Sequence, residues 1–214
     1  MKHQLFVSFA TVVIAIVAAV IVMIVHELCK AIAYSMYIKI YNKKYNKTEP
    51  CEGVFKIYRY IDPVGVIFAG TSNGIFSKQY PFVIRSKKAS LLIGLTGYLS
   101  LIVLFAISIL CYRTFFGQDI ILNANQKYLH YIIVGIKYLF EFLAFFCATL
   151  FFVNFYPIST FDISLIIASI SPSKYLGIRK FDLFFKLVFI IFSLIGIFTS
   201  GGIYIATKAL GYPM

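Results

Sequence analysis

Charged residues are scarce in this chain of 214 amino acids. They make up 13% of it, whereas hydrophobic residues make up 61% and the mean hydropathy is +0.89. Because a soluble domain carries roughly 25% charged residues, this composition excludes an ordinary soluble protein and predicts an integral membrane protein. The length allows one membrane domain, 1–214, with about four or five spans of ~20 residues and no further domain of soluble type.

Acidic residues are scarcer still, with 8 Asp and Glu against 20 Lys and Arg. In a soluble protein the net charge of +12 would suggest nucleic acid as a partner, but no basic helix or aromatic stacking platform accompanies it. The basic residues lie instead between apolar runs, as the positive-inside rule describes for cytoplasmic loops. We therefore predict no nucleic-acid partner. We expect the protein to be integral to the bacterial cytoplasmic membrane, with membrane lipid as its partner.

Closely spaced cysteines are missing as well. The sequence has no C-x-x-C pair, and its cysteines are far apart, at Cys29, Cys51, Cys111 and Cys147. This spacing indicates neither a zinc finger nor a disulfide framework.

What the chain does contain is long apolar runs, each able to cross a hydrocarbon core of ~30 Å at 1.5 Å per residue. They lie at about 5–38, 89–112, 128–153 and 182–207. These runs predict an all-α polytopic helical bundle with its N-terminus outside. Three further segments are predicted between them: a small surface strand at 53–61, a short re-entrant element at about 64–76, and a broken helix at 154–170.

Ionisable residues interrupt the first apolar run. The stretch HELCK places His26, Glu27, Cys29 and Lys30 there, and NFYPISTFD brings Asp162 to a similar depth after a proline that breaks the helix. An ionisable residue inside a membrane costs at least ~2.5 to 3.5 kcal/mol on insertion scales, so each needs a partner or a purpose. The simplest interpretation is a salt-bridge cluster that tethers two helices.

These two stretches, in this order, resemble the site-2 protease family of intramembrane zinc metalloproteases. The family pattern is H-E-x-x-H on one helix and N-x-x-P-x-x-x-L-D-G on a later one. Three intervening stretches also resemble family landmarks: YIDPVG at 60–65, SKQYPF at 77–82 and LTGYLSL at 95–101. The resemblance implies a fold of site-2-protease type in a minimal form.

The resemblance also implies roles for four residues. His26 and Asp162 would be zinc ligands, Glu27 the general base that activates the metal-bound water, and Asn154 a polar accessory of the catalytic site. Zinc held by three protein ligands with one open position lowers the pKa of its water to about 7.

The sequence departs from the family pattern where the second histidine ligand belongs, because Lys30 stands there. A protonated lysine has three donors and no lone pair for a metal. We hypothesise that the Lys30 ammonium replaces zinc and neutralises Glu27 and Asp162. Cys29, three positions after His26, is a possible substitute ligand for a zinc site with His26 and Asp162. Further departures are Tyr60, Tyr98, Leu101 and Ile163.

Three functions follow from these observations. The favoured one is a catalytically impaired pseudoprotease that needs no cofactor and binds or regulates a membrane-embedded partner, such as a single-pass membrane protein or a peptide. The alternative is an active intramembrane zinc metalloprotease with substituted ligands. A remote alternative is a small transporter subunit that uses the buried charges as a relay.

Overall fold

The computed structural model describes residues 2–45, 53–71, 74–82, 86–116 and 127–211. Cys51 and Arg85, and residues 72 and 73 of the predicted re-entrant element, lie outside this part of the chain. The described residues form helices joined by turns and extended segments, and they contain no β-strand. In chain order the α-helices are α1 (Lys2–Tyr45), α2 (Pro63–Thr71), α3 (Lys87–Phe116), α4 (Lys127–Val153), α5 (Asp162–Ile170), α6 (Pro172–Lys180), α7 (Asp182–Ile195) and α8 (Ile197–Leu210).

The protein is therefore all-helical, and its helices have the length and composition of membrane spans. Among the described residues, three helices are long and apolar enough to cross a membrane: Phe9–Tyr45, Lys87–Thr114 and Tyr131–Val153. A fourth crossing is present if α7 and α8 form one span. These helices cover the four apolar runs of the sequence, as expected of a polytopic membrane protein.

The α7–α8 pair is bent by 52°, which differs from the unbroken span predicted at 182–207. The bend falls at Gly196, whose φ of +80° is in the left-handed region. This conformation favours glycine because it has no Cβ. The hydropathy of the run did not reveal the bend, since one glycine hardly changes it.

Small residues let the central helices approach one another. Ala18 and Ala19 of α1 are completely buried, and they belong to one apolar core with Phe146 and Leu150 of α4. Close packing between small side chains is the main source of helix association in lipid, because burying apolar surface gains little there. α3 packs against both α1 and α4, and α8 packs against α4.

The predicted surface strand at 53–61 is wrong. This segment contains a turn and a short 3₁₀-helix, Ile57–Tyr60, closed by local backbone hydrogen bonds such as Arg59 N to Lys56 O at 3.0 Å. Tyr60 is completely buried, and its hydroxyl donates to the carbonyl of Val54. A strand needs a neighbouring strand for its backbone groups, whereas local turns satisfy them without one.

α2 runs beside α1 toward the beginning of that helix, and the chain after α2 lies again beside Gly65. A Cβ on Gly65 would lie 2.9 Å from the Met23 side chain, and one on Gly70 would lie 3.6 Å from Ile16, closer to the start of α1. Phe76 has come back to the level of Gly65, because its carbonyl oxygen would be 2.2 Å from that same Cβ. Residues 74–82 then continue without helix beside the middle of α1, where Ser77 and Tyr80 contact Glu27.

Candidate functional site

The ionisable residues of α1 lie on the side of the helix that faces the bundle. His26, Glu27 and Lys30 are spaced so that the lysine is one turn from both of the others. Their exposed fractions are 0%, 1% and 1%, and Asp162 at the start of α5 is also completely buried. Four ionisable side chains, separated by up to 136 positions in the sequence, thus share one interior site.

Lys30 links the two carboxylates. Its Nζ donates to Glu27 Oε1 at 2.7 Å and to Asp162 Oδ1 at 2.9 Å. Both distances are those of charge-assisted hydrogen bonds, which are about twice as strong as neutral ones. The ammonium therefore occupies the position between the carboxylates and joins α1 to α5.

His26 completes the cluster. Its Nε2 lies 3.2 Å from Asp162 Oδ2 and 3.7 Å from Glu27 Oε1. Among the described residues no hydrogen bond of regular geometry reaches Asp162 Oδ2, and its close polar neighbour is His26 Nε2. Two carboxylates, one ammonium and one imidazole therefore share the site.

The loop between α4 and α5 places Asp162 in the site. α4 ends at Val153, and Pro157 lies in the turn that follows, where the lack of an N–H prevents the helix from continuing. Successive turns are closed by Tyr156 N to Val153 O at 3.0 Å and by Phe161 N to Ile158 O at 2.9 Å. Asp162 is then the first residue of α5, where the helix dipole favours a negative charge.

Glycine on α3 provides the space for this carboxylate. A Cβ on Gly97 would lie 2.1 Å from Asp162 Oδ2, and one on Gly94 would lie 2.9 Å from the Asp162 carbonyl oxygen. Both distances are shorter than real Cβ contacts allow. The first turn of α5 can approach α3 because residues 94 and 97 have no side chain.

Asn154 borders the imidazole. Its Nδ2 is 3.3 Å from His26 Nε2, and its carbonyl oxygen accepts hydrogen bonds from the Tyr98 hydroxyl at 2.7 Å and from Ile163 N at 3.2 Å. Two residues at which the sequence differs from the site-2 protease pattern, Tyr98 and Ile163, thus hold the Asn154 backbone. A third, Leu101, is 1% exposed and packs in the apolar core.

Glu27 is also held by the extended segment 74–82. Ser77 Oγ donates to Glu27 Oε1 at 2.7 Å, and the backbone N of Tyr80 donates to Oε2 at 3.3 Å. Ser77 and Tyr80 line a cavity of about 630 Å³. Its other walls are mainly apolar and include Phe68, Phe161 and Phe189. The cavity is therefore separated from the charged cluster by one segment of chain.

Zinc does not suit this arrangement. A zinc ion needs ligand atoms about 2.0–2.3 Å away, and the place between Glu27 and Asp162 already holds the Lys30 ammonium, whose charge would repel the metal. In the part of the chain that is described, no group of three or more His, Cys, Asp or Glu side chains could hold a metal ion. Cys29 is partly exposed, and the structure does not bring it into such a group with His26 and Asp162.

The sequence identified the charged residues of the site but not the neutral ones. Ser100, whose Oγ is 3.3 Å from His26 Nδ1, was not predicted, nor were Ser77 and Gly97. Their one signal is that each lies in the stretch SKQYPF or LTGYLSL, because a serine or glycine has the same sequence signature whether it faces the site or lipid. The sequence could not say which side chain each hydroxyl would contact, because that depends on helix rotation.

The fold and the site together define an all-helical membrane protein with a buried charge cluster between two helices. Comparisons with models of protein families, with curated proteins and with solved structures found no match.

Proposed function

We propose that this is a site-2-protease-like membrane protein that has lost peptidase activity and binds a membrane-embedded partner. The observation that carries the proposal is the position of Lys30 Nζ, within 2.9 Å of both carboxylates. A lysine that forms two charge-assisted hydrogen bonds supplies the positive charge that the metal supplies in the family. The buried carboxylates keep their partner, but no metal-bound water is available for hydrolysis.

Further support comes from the order and placement of the elements. His26 and Glu27 on one helix meet Asp162 on a later one, as the H-E and N-x-x-P-x-x-x-x-D stretches predict, and Asn154 borders them. The return of Phe76 to the level of Gly65 is what a re-entrant element at 64–76 requires. These features favour a site-2-protease type of fold over an unrelated helical bundle.

The partner would enter the cavity beside the charged cluster. Its apolar walls suit a segment of a membrane-embedded protein or peptide, and its border at Ser77 and Tyr80 touches Glu27 through two hydrogen bonds. A bound segment would therefore lie next to the former catalytic position without being cut.

Metal content tests the loss of zinc. Wild-type protein purified in detergent is expected to hold far less than one zinc per chain, and so is His26→Ala. Lys30→His restores the H-E-x-x-H pattern and removes the competing charge, so it should bind zinc, and the double variant His26→Ala/Lys30→His should not. Near-stoichiometric zinc in the wild type that is lost in His26→Ala would contradict the proposal and favour an active metalloprotease.

Cross-linking tests the partner. A photoreactive residue at position 190, which lines the cavity, is compared with one at 191, which is exposed on the same helix but does not line it. In native membranes position 190 should cross-link to a defined membrane protein or peptide, position 191 should not, and Glu27→Gln should leave the cross-link unchanged. Cleavage of that partner by the wild type but not by Glu27→Gln would contradict the proposal, because it would show that the protein is an active protease.

A further inference from the structure

A second cavity, of about 420 Å³, lies where the start of α3 meets α6. Lys87 and Ser90 of α3 line one side, and Tyr175 and Arg179 of α6 line the other. No acidic residue is among the described residues that line it. Two cations from distant parts of the sequence thus face one concave space.

The position of this cavity is that of a membrane interface. Lys87 is the first residue of a candidate span, Lys87–Thr114. A hydrogen bond of 2.7 Å between Tyr37 and Ser86 joins the start of α3 to the last turns of α1, which end with Lys43 and Lys44. The basic end of one span therefore lies beside the basic beginning of the next, as at a cytoplasmic surface.

α6 lies on the outside of the bundle, where both apolar and basic side chains are exposed. None of its residues is buried, and it packs mainly on α5. Leu176 is 61% exposed and Phe181, the residue after α6, is 57% exposed, whereas Lys174, Arg179 and Lys180 supply charge. Exposed apolar side chains can contact acyl chains, and exposed basic side chains attract anionic headgroups.

The cations of the cavity are available to a ligand. Neither Lys87 nor Arg179 forms an ion pair with a carboxylate in the described part of the chain. Two serines, Ser86 and Ser90, also line the cavity, and their hydroxyls already form hydrogen bonds within the protein. Ser90 Oγ donates to Leu165 O at 2.6 Å, and Ser86 Oγ accepts from Ala89 N at 3.1 Å. Recognition therefore depends on the lysine and the arginine, and an arginine fork matches a phosphate group.

We propose that this cavity binds the phosphate headgroup of an anionic phospholipid, which bridges Lys87 of α3 and Arg179 of α6. Basic pockets between membrane helices recognise such headgroups, and the acyl chains would stay in the leaflet beside Leu176. The bridge would fix α6 against α3. Because Phe82 and Tyr175 line both this cavity and the larger apolar one, a bound lipid would also set the shape of the larger cavity. This inference does not depend on the proposed function.

Hydrogen exchange in nanodiscs tests the bridge. The protein is placed in phosphatidylcholine nanodiscs with or without phosphatidylglycerol, and amide exchange is measured across 171–181. In the wild type, phosphatidylglycerol should slow this exchange roughly five-fold for each cation engaged. Lys87→Gln and Arg179→Gln should each lose most of the protection, whereas Arg179→Lys should keep part of it.

Lys174→Gln is the matched control, because it removes an exposed cation from the same helix but not from the cavity. It should retain wild-type protection, and exchange in α3 and α4 should be unchanged in every variant. An equal loss in Lys174→Gln would mean attraction by general surface charge and would overturn the proposal. Equal protection by inorganic phosphate in phosphatidylcholine nanodiscs would also overturn it, since the occupant would then be free phosphate.

Discussion

The centre of the bundle and its outer helices are both apolar, but among the described residues only the centre buries ionisable side chains. Where α1, α3, α4 and α5 meet, the buried positions include alanines, glycines and four ionisable side chains. On α7, in contrast, Leu183 is 73% exposed and Ile195 is 69% exposed. Lipid tails are as apolar as leucine, so large apolar side chains gain little from leaving them. In this protein buried small and ionisable residues distinguish the interior, where large apolar side chains such as Leu150 are buried as well, whereas most large apolar side chains of α7 face outward.

The largest effect is expected from removing a carboxylate at the centre. Asp162→Ala leaves the Lys30 ammonium with one partner and removes the nearest anion of His26. Breaking a buried ion pair from one side costs about 3–5 kcal/mol, so we expect most of the folded protein to be lost. Thermal stability of the detergent-solubilised protein, followed by size-exclusion chromatography, measures this.

The matched change for Asp162→Ala is Asp182→Ala, which removes a carboxylate that pairs with the half-exposed Lys186 at 2.6 Å and accepts a hydrogen bond from Ser159 N at 2.9 Å. The ion pair contributes about 0–1 kcal/mol, and the total loss should stay below that of Asp162→Ala because Lys186 is left in contact with solvent rather than buried. Equal losses in the two variants would mean that the central cluster is no more important than an outer ion pair.

A second prediction compares the same substitution in the two regions. Leu150 of α4 is 1% exposed, and Leu194 of α7 is 66% exposed. Leu150→Ala leaves a cavity in the packed core and should cost about 2–5 kcal/mol, whereas Leu194→Ala should stay within about 0.5 kcal/mol. Thermal unfolding in detergent measures both, and a larger loss for Leu194→Ala would show that α7 has a protein partner on that face.

The smallest of these effects is expected from adding a single methyl group. Gly97→Ala places a Cβ against Asp162 Oδ2 and should cost about 1–3 kcal/mol through forced shifts of α5. Gly177→Ala on α6 is the control, because nothing lies within 4 Å of its Cβ. That variant should be neutral or slightly stabilised, since alanine favours a helix more than glycine does. Equal stabilities would mean that α5 does not need close contact with α3.

The sequence predicted a good part of the site because charge in an apolar run is a strong signal. His26, Glu27, Lys30 and Asp162 were identified from it, and the structure brings all four together. It did not predict Ser100, whose hydroxyl meets His26, since a serine on a helix facing lipid has the same sequence signature. The strand predicted at 53–61 was wrong because β-branched and aromatic residues favour extended chain only where another strand is available.

The sequence by itself determined that the chain lies in a membrane, where its long helices run, and which charges had to be neutralised inside it. These properties follow from the cost of moving charged or unpaired polar groups into hydrocarbon, which depends on each residue and its near neighbours. Only the tertiary structure decided that Lys30 stands between Glu27 and Asp162, and that Lys87 and Arg179 face one cavity. Such contacts depend on how each helix is rotated and how closely it approaches the next, and in lipid these are set by small residues such as Gly97, which hydropathy does not distinguish.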